Sequence, residues 1–442
     1  MLVVGSRFFD SVTKEQFFIK GVAYQPNRNI KGGNFDPLAN VKHCKRDIDM
    51  MKELGINVIR VYQIDNHENH DECMNYLEQS GIYLILDLAT SYVNVNRDSP
   101  EWSLSIYKNF ITTALEFSKY KNTLGFFAGN EVSNVIENTD ASVFVKAAIR
   151  DVKKFLKKYS SRYIPVGYSS NDDANIRIPL LKYFNCGDDE NARADFYGVN
   201  MYEWCGKNSY ETSGYAERTK EFSGYSIPVF LSEYGCNTYH PRLFEEVSTI
   251  YENKEMISIW SGGIVYEWTQ ETNNYGLIEY DSNGNSIKLP DYENLKKKLS
   301  LVNIPRTDQM DSYQPKNSKH FQCPEINENW KATNRLPPTP SIKKSCQFKG
   351  AAELVSPINN NNNSLDCSSI DNDDGDFHNT CIIYFATIQV FVVASESITI
   401  SAEVSRLSPP ADSRSFVVFL SILPNNSSIS SSDLFLVSGK NI

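Results

Sequence analysis

The strongest constraint on this 442-residue chain is an alternation that runs from about residue 17 to residue 299. Apolar strand-like runs occupy 18–24, 57–64, 83–89, 124–128, 163–168, 196–201, 227–231 and 263–268. Helical stretches separate them, such as 42–54 and 140–159. In the second of these Val143, Ala147, Ile149 and the run from Val152 to Leu156 recur at helical spacing, with lysines opposite. Eight β-then-α units in about 280 residues predict an α/β chain closed as a (β/α)8 TIM barrel. A doubly wound open sheet is the alternative, but no Gly-x-Gly-x-x-Gly turn follows the first run.

The chain is longer than one compact core usually holds, and its texture changes near Pro305. The reading is a catalytic barrel over 1–304 and a linker over 305–345 packed on or near it. A C-terminal appendage follows over 346–442. The linker carries Arg335-Leu336-Pro337-Pro338-Thr339-Pro340, which is stiff and extended. The appendage holds an asparagine tract at 359–363 and an acidic stretch at 371–374, followed by apolar strings without a clear period.

Net charge is −10 and no Lys/Arg run stands out, which argues against nucleic acid or an anionic membrane as partner. No apolar run approaches the ~18 residues of a membrane span; 382–393 comes nearest and is short and mixed. Met1 is followed at once by the 2–9 segment and a turn, so no secretory leader is read there. His67 and His70, three apart in a polar loop, read as a solvated pair. With no Cys/His cluster, phosphate-binding glycine loop or nucleophile elbow around Ser169-Ser170, neither a metal nor a cofactor is expected.

In a TIM barrel the chemistry sits at the C-terminal ends of the strands. The fourth run continues Gly125-Phe126-Phe127-Ala128-Gly129-Asn130-Glu131, and the seventh continues Val229-Phe230-Leu231-Ser232-Glu233-Tyr234-Gly235. Each ends a very apolar stretch on a carboxylate, which is costly to bury without a purpose. A retaining glycosidase needs such a pair, Glu131 as acid/base and Glu233 as nucleophile, ~5 Å apart across a sugar. The bland reading, two structural carboxylates capping helices, stays open at this level. Other strand ends are polar and aromatic: Tyr24-Gln25, Tyr62-Gln63, Asp87, Tyr202-Glu203-Trp204 and Tyr266-Glu267-Trp268. Aromatic faces suit pyranose rings, and Gln, Asp and Tyr suit sugar hydroxyls. Glu203 and Glu267 rank second as carboxylates, because each follows a Tyr with the strand read as still running.

Nine cysteines, widely spaced, leave buried free thiols and disulfides of an oxidising compartment both open.

Four segments carry a family resemblance: Phe18-Ile19-Lys20-Gly21-Val22-Ala23-Tyr24-Gln25, Gly55-Ile56-Asn57-Val58-Ile59-Arg60-Val61-Tyr62, Phe126-Phe127-Ala128-Gly129-Asn130-Glu131-Val132 and Leu231-Ser232-Glu233-Tyr234-Gly235-Cys236. With these the chain, over roughly residues 3–345, resembles the fungal β-1,3-glucanosyltransferases of glycoside hydrolase family 72. The resemblance implies an enzyme that cleaves an internal β-1,3-glucan linkage and holds one part as a glycosyl-enzyme. It passes that part to the non-reducing end of a second glucan, so that the cell-wall polymer grows. It implies Glu131 as acid/base and Glu233 as nucleophile, with Gln25, Tyr62, Asp87, Asn130, Tyr202 and Tyr266 binding sugar. It also implies the disulfides Cys44–Cys73, Cys205–Cys236 and Cys186–Cys323, no cofactor, donor and acceptor glucans as partners, a monomer, and a place outside the cell at the wall. Cys346, Cys367 and Cys381 resemble the start of a small cysteine-rich glucan-binding module, here incomplete, with no GPI-type terminus following. The competing readings are an endo-β-1,3-glucanase and a catalytically inactive wall-binding protein.

Overall fold

The computed structural model describes residues 1–25, 36–305 and 308–341, together with three short C-terminal strands. The chain divides into two compact units, 1–365 and 366–442.

The first unit opens with a hairpin, β1 (Leu2–Val4) and β2 (Arg7–Phe9). Eight parallel strands follow: β3 (Ile19–Ala23), β4 (Val58–Val61), β5 (Tyr83–Asp87), β6 (Thr123–Asn130), β7 (Val166–Ser170), β8 (Tyr197–Asn200), β9 (Val229–Tyr234) and β10 (Trp260–Val265). They hydrogen-bond in sequence order, and β10 returns to β3 to close the barrel. All eight expected runs are strands, and the chain is a (β/α)8 barrel. A small hairpin, β11 (Ile278–Tyr280) with β12 (Ser286–Lys288), follows the barrel.

The barrel interior is built in layers. Phe8 of the leading hairpin closes the N-terminal end, its ring 6.1 Å from Phe196 and 6.2 Å from Phe230. Above it Phe127, Phe196 and Phe230 form an aromatic floor with Ile19, Val58, Ile85 and Ile264. Close packing leaves no room at Gly198, where an added Cβ would lie 2.5 Å from Ser232 Oγ. Glycine is what lets β8 approach β9 there.

The helices follow the expected pattern with two differences. The helix Val41–Leu54 starts on Asn40, which accepts from the His43 amide, and stops at Gly55 with φ 75°. The stretch expected as one helix over 140–159 begins instead with a 3-10 turn, Ile136–Ala141, before the α-helix Ser142–Tyr159. Lys146 also departs from the solvent-facing row of lysines. It is buried, donates to the Tyr183 and Cys186 carbonyls at the end of the helix Arg177–Phe184, and burial holds its amine down at about 7.

Three disulfides lock this unit: Cys44–Cys73 between two adjacent helices, Cys205–Cys236 between the segments that follow β8 and β9, and Cys186–Cys323. The third ties residues 308–341 to the barrel. Trp330 is buried with its ring 5.2 Å from Tyr183, Lys331 N donates to Thr139 Oγ1, and Thr339 Oγ1 donates to Asp151. No helix among the described residues is long and apolar enough to cross a membrane.

Of the second unit three strands are described: β13 (Ile400–Glu403), β14 (Val417–Ile422) and β15 (Phe435–Ser438), an antiparallel sheet in that order. The cysteine-rich module expected from Cys346, Cys367 and Cys381 lies outside the described residues.

Cys186–Cys323 closes a sequence separation of 137 residues, the longest of the three. Replacing both cysteines by serine is expected to cost about 2–5 kcal/mol of unfolding free energy, measured by denaturant titration.

Candidate active site

The site is assembled on one buried cation. Arg60 lies within β4, between Ile59 and Val61, and its side chain is fully buried over the aromatic floor, 4.6 Å from the Phe127 ring and 4.6 Å from Tyr62. Every nitrogen donates. Nε and Nη2 form a bidentate pair with Asp87 at 3.0 and 2.9 Å. Nη1 reaches Glu233 Oε1 and the Ser232 carbonyl, each at 3.2 Å, and Nη2 also reaches Asn130 Oδ1 at 2.9 Å. Burial alone would lower this guanidinium, but Asp87, Tyr62 and Glu233 hold it above its ordinary value.

An arginine has donors only, so it dictates orientations beyond itself. The Asn130 atom facing it must be the amide oxygen. That oxygen also accepts from Asn200 Nδ2 at 3.1 Å, leaving the Asn130 amide hydrogens to face the cleft. The same Asn200 nitrogen donates to Glu131 Oε1 at 2.8 Å, while Asn200 Oδ1 accepts from Ser169 and Ser232 hydroxyls at 3.1 and 2.9 Å. One buried charge thus sets the amide of Asn130, then that of Asn200, then the side chain of Glu131.

Glu233 sits at the end of β9, buried, and receives three donors: Tyr62 Oη at 2.9 Å, Arg60 Nη1 at 3.2 Å and Tyr202 Oη at 2.7 Å. Burial raises both phenols well above 10, with the Glu233 charge adding to it, so they remain donors. Burial also pushes Glu233 above its ordinary value; Arg60, Tyr202 and Tyr62 pull it down, and the charge of Glu131 pushes it up. Glu131 follows β6 with φ 48°, a left-handed conformation that costs a non-glycine residue roughly 1–3 kcal/mol. Neighbours hold it there: its N–H donates to the Ser169 carbonyl at 2.8 Å, and its carbonyl accepts from Arg97 at 2.7 Å.

The remaining expected residues gather at the same mouth. Tyr266 lies 6.4 Å from Tyr62, 6.3 Å from Tyr202 and 5.2 Å from Tyr275, making an aromatic wall beside Glu233. Gln25 accepts from the Tyr62 amide at 3.2 Å. Gln25, Tyr62, Asp87 and Asn130 line a cleft of about 1030 Å³ that continues along the loops after β4 and β5. Asp87 also serves as the anchor of Arg60.

The second-rank carboxylates Glu203 and Glu267 make contacts of their own, and they do not sit on running strands. β8 ends at Asn200 and β10 at Val265, before Tyr202 and Tyr266, so neither strand is still running. Glu267 instead accepts from Asn273, and Glu203 turns into an ion-pair cluster with Arg218. The solvated reading of His70 is also corrected. It is fully buried, its ring tilted against Phe117 at 4.8 Å and paired with Asp36 at 2.7 Å. Burial alone would lower its pKa, but Asp36 and Glu116 push it up to about 9. No cluster suited to a metal ion occurs among the described residues.

Arg60 and Asn200 were the residues the sequence reading passed over. Arg60 is a cation inside an apolar strand, as costly to bury without a purpose as the strand-end carboxylates. Replacing Arg60 by Met strands two buried carboxyls and is expected to cost about 3–5 kcal/mol, read from denaturant unfolding near neutral pH.

Comparison with known proteins shows the family of the chain. The family profile described as glucanosyltransferase, glycoside hydrolase family 72, matches residues 1–303. The chain is 48% identical over 356 residues to pH-responsive protein 1 of Candida albicans, covering 76% of this chain and 63% of that protein. It is 47% identical over 356 residues to 1,3-beta-glucanosyltransferase GAS2 of Saccharomyces cerevisiae, covering 77% and 63%. The chain therefore spans somewhat less than two thirds of the length of these two relatives. Among solved structures it resembles Saccharomyces cerevisiae Gas2p in complex with laminaripentaose, with a TM-score of 0.73 at 47% identity over 77% of each chain. Fold, barrel segment and sequence agree, and the chain belongs to the glucanosyltransferase family.

Proposed function

We propose that this chain is a retaining 1,3-β-glucanosyltransferase in which Glu233 is the nucleophile and Glu131 the acid/base. The observation that carries the reading is the setting of Glu233, a buried carboxylate at a strand end held by one guanidinium and two phenols. Those three donors leave Glu233 as an oriented acceptor rather than an acid. Glu131 is less buried and is bonded through Asn200.

In the first step Glu131 gives its proton to the leaving glycosidic oxygen while a Glu233 oxygen attacks the anomeric carbon. The reducing-end fragment leaves with that proton, and a glycosyl ester forms on Glu233. In the second step Glu131, now ionised, takes the proton from the 3-hydroxyl of an incoming glucan. That oxygen attacks the anomeric carbon, the ester breaks, and Glu233 is freed. The Asn130 amide donates to the sugar 2-hydroxyl. Gln25, Tyr62, Asp87, Tyr202 and Tyr266 form the polar and aromatic walls of the bound ring. The partners are β-1,3-glucan donor and acceptor chains, and the protein acts as a monomer. Three disulfides support a place outside the cell, at the wall.

The choice of β-1,3-glucan is supported by the relative named 1,3-beta-glucanosyltransferase and by the laminaripentaose complex. The test is incubation with a reduced laminari-oligosaccharide. Products longer than the donor are expected; shorter products alone would mean an endo-β-1,3-glucanase, and no products a binding protein.

The acid limb of kcat/KM reports ionisation of Glu233, so it should lie above the ordinary glutamate value. Tyr202→Phe removes a donor that stabilises the ionised form. The limb should then move to higher pH, with kcat falling by about 10–100-fold at its original midpoint, measured over a pH series.

A further inference from the structure

Glu203 immediately follows Tyr202, and its side chain enters a charged cluster that the mechanism leaves unused. Asp172 comes from the segment after β7, Arg177 from the helix Arg177–Phe184, and Arg218 and Glu221 from the helix Tyr215–Glu221. Arg177 pairs with Asp172 at 2.8 Å and Glu221 at 3.1 Å; Arg218 pairs with Glu221 at 3.0 Å and Glu203 at 3.4 Å. Three carboxyls therefore face two guanidiniums, an excess of one negative charge in a half-buried site. The Glu203 and Asp172 carboxyls converge on one nitrogen, Arg218 Nη1, at 3.4 and 4.0 Å. One oxygen of each, Glu203 Oε2 and Asp172 Oδ2, is buried and receives no donor. A single proton between them supplies the missing donor and removes the excess charge at once.

We propose that Glu203 and Asp172 share one proton, and that this pair is a positioning element that seats Tyr202 on Glu233 and loosens it when the proton is lost. The pair acts through the backbone: the segment that follows Tyr202 is anchored first by the Glu203 side chain and then by the Cys205–Cys236 bridge. The groups facing Glu203 are Asp172, Arg177, Arg218 and the neutral phenol of Tyr215, with Glu221 beyond the arginines. Burial, then the Asp172 charge, push Glu203 up to about 7. A carboxyl raised in the folded state contributes stability that is complete below the ordinary glutamate value and is lost as pH rises through about 7.

The role rests on the reading of Glu233 as nucleophile; the shared proton does not. Glu203→Gln replaces the proton by a permanent N–H donor, and Asp172→Asn does so from the other side. Thermal midpoint and kcat/KM on a laminari-oligosaccharide are measured from about pH 4.5 to 9 for wild type and both variants. Expected is a wild-type midpoint that falls between about pH 5 and 8, a flatter curve in Glu203→Gln, and an alkaline activity limb displaced to higher pH in that variant. Curves that superimpose on wild type would overturn the proposal, as would an equal loss of activity at every pH. Wild type inactive on glucan at all pH would sink the functional reading, while the melting curves still decide the proton. Should the variants not fold, infrared titration is run in a Glu131→Gln, Glu233→Gln, Glu246→Gln background, which removes the general acid, the nucleophile and the other glutamate raised to about 7, so that the pair is read. A protonated carboxyl persisting to about pH 7 supports it, and none above about pH 5 overturns it.

Discussion

The site depends on a guanidinium held inside the barrel. Arg60 pays a large desolvation cost, and two buried carboxylates, an amide oxygen and a carbonyl oxygen offset it. A buried ion pair is weak evidence for stability, since apolar groups replacing all of its members together often do as well, whereas removing Arg60 alone strands its carboxylates. What Arg60 supplies is direction. Because it can only donate, it fixes which atom each neighbour presents, and that choice passes through Asn130 and Asn200 to Glu131. A hydrophobic residue in its place would strand Asp87 and Glu233 and also leave those amides free to flip.

The same arginine helps to separate the two glutamates. Glu233 takes a strong cationic donor and two phenols, all of which favour its charged form, against burial that opposes it. Glu131 has instead one neutral amide donor to its side chain and a strained backbone fixed by Ser169 and Arg97. Two carboxyls of the same chemistry are thus given different environments by residues on other strands, which is what a double displacement requires of them. The layered interior explains why this is possible. Phe8 and the aromatic floor exclude water from below, so the hydrogen bonds above them act in a low dielectric.

Much of this was legible in the amino-acid sequence, and the part that was not has a physical cause. The eight runs were recognisable because barrel strands are covered on both faces and read as continuous apolar stretches. That same property hides which face each residue takes. Arg60 in the Ile59-Arg60-Val61 context has no alternation to show that it points at the axis rather than at a helix. Glu131 and Glu233 escaped the ambiguity because they end their strands, where the fold puts chemistry whatever the face. Asn200 does not stand out in the sequence because β8 is short and the apolar run continues past it to Met201, which puts the apparent strand end at Tyr202. Lys146 and His70 show a further limit: helical spacing or a polar loop predicts solvent, while helix-end carbonyls and a carboxylate 34 residues away pull the side chain inward.

The central claim is that Glu233 carries the sugar and Glu131 moves the proton. It is tested most directly by trapping the intermediate. The protein is incubated with a 2-deoxy-2-fluoro laminari-oligosaccharide bearing an activated leaving group, digested, and mapped by mass spectrometry. The account predicts one glycosyl adduct on the peptide containing Leu231-Ser232-Glu233-Tyr234, absent in Glu233→Gln. An adduct on Glu131, Glu203 or Glu267, or turnover of glucan by Glu233→Gln at the wild-type rate, would contradict it.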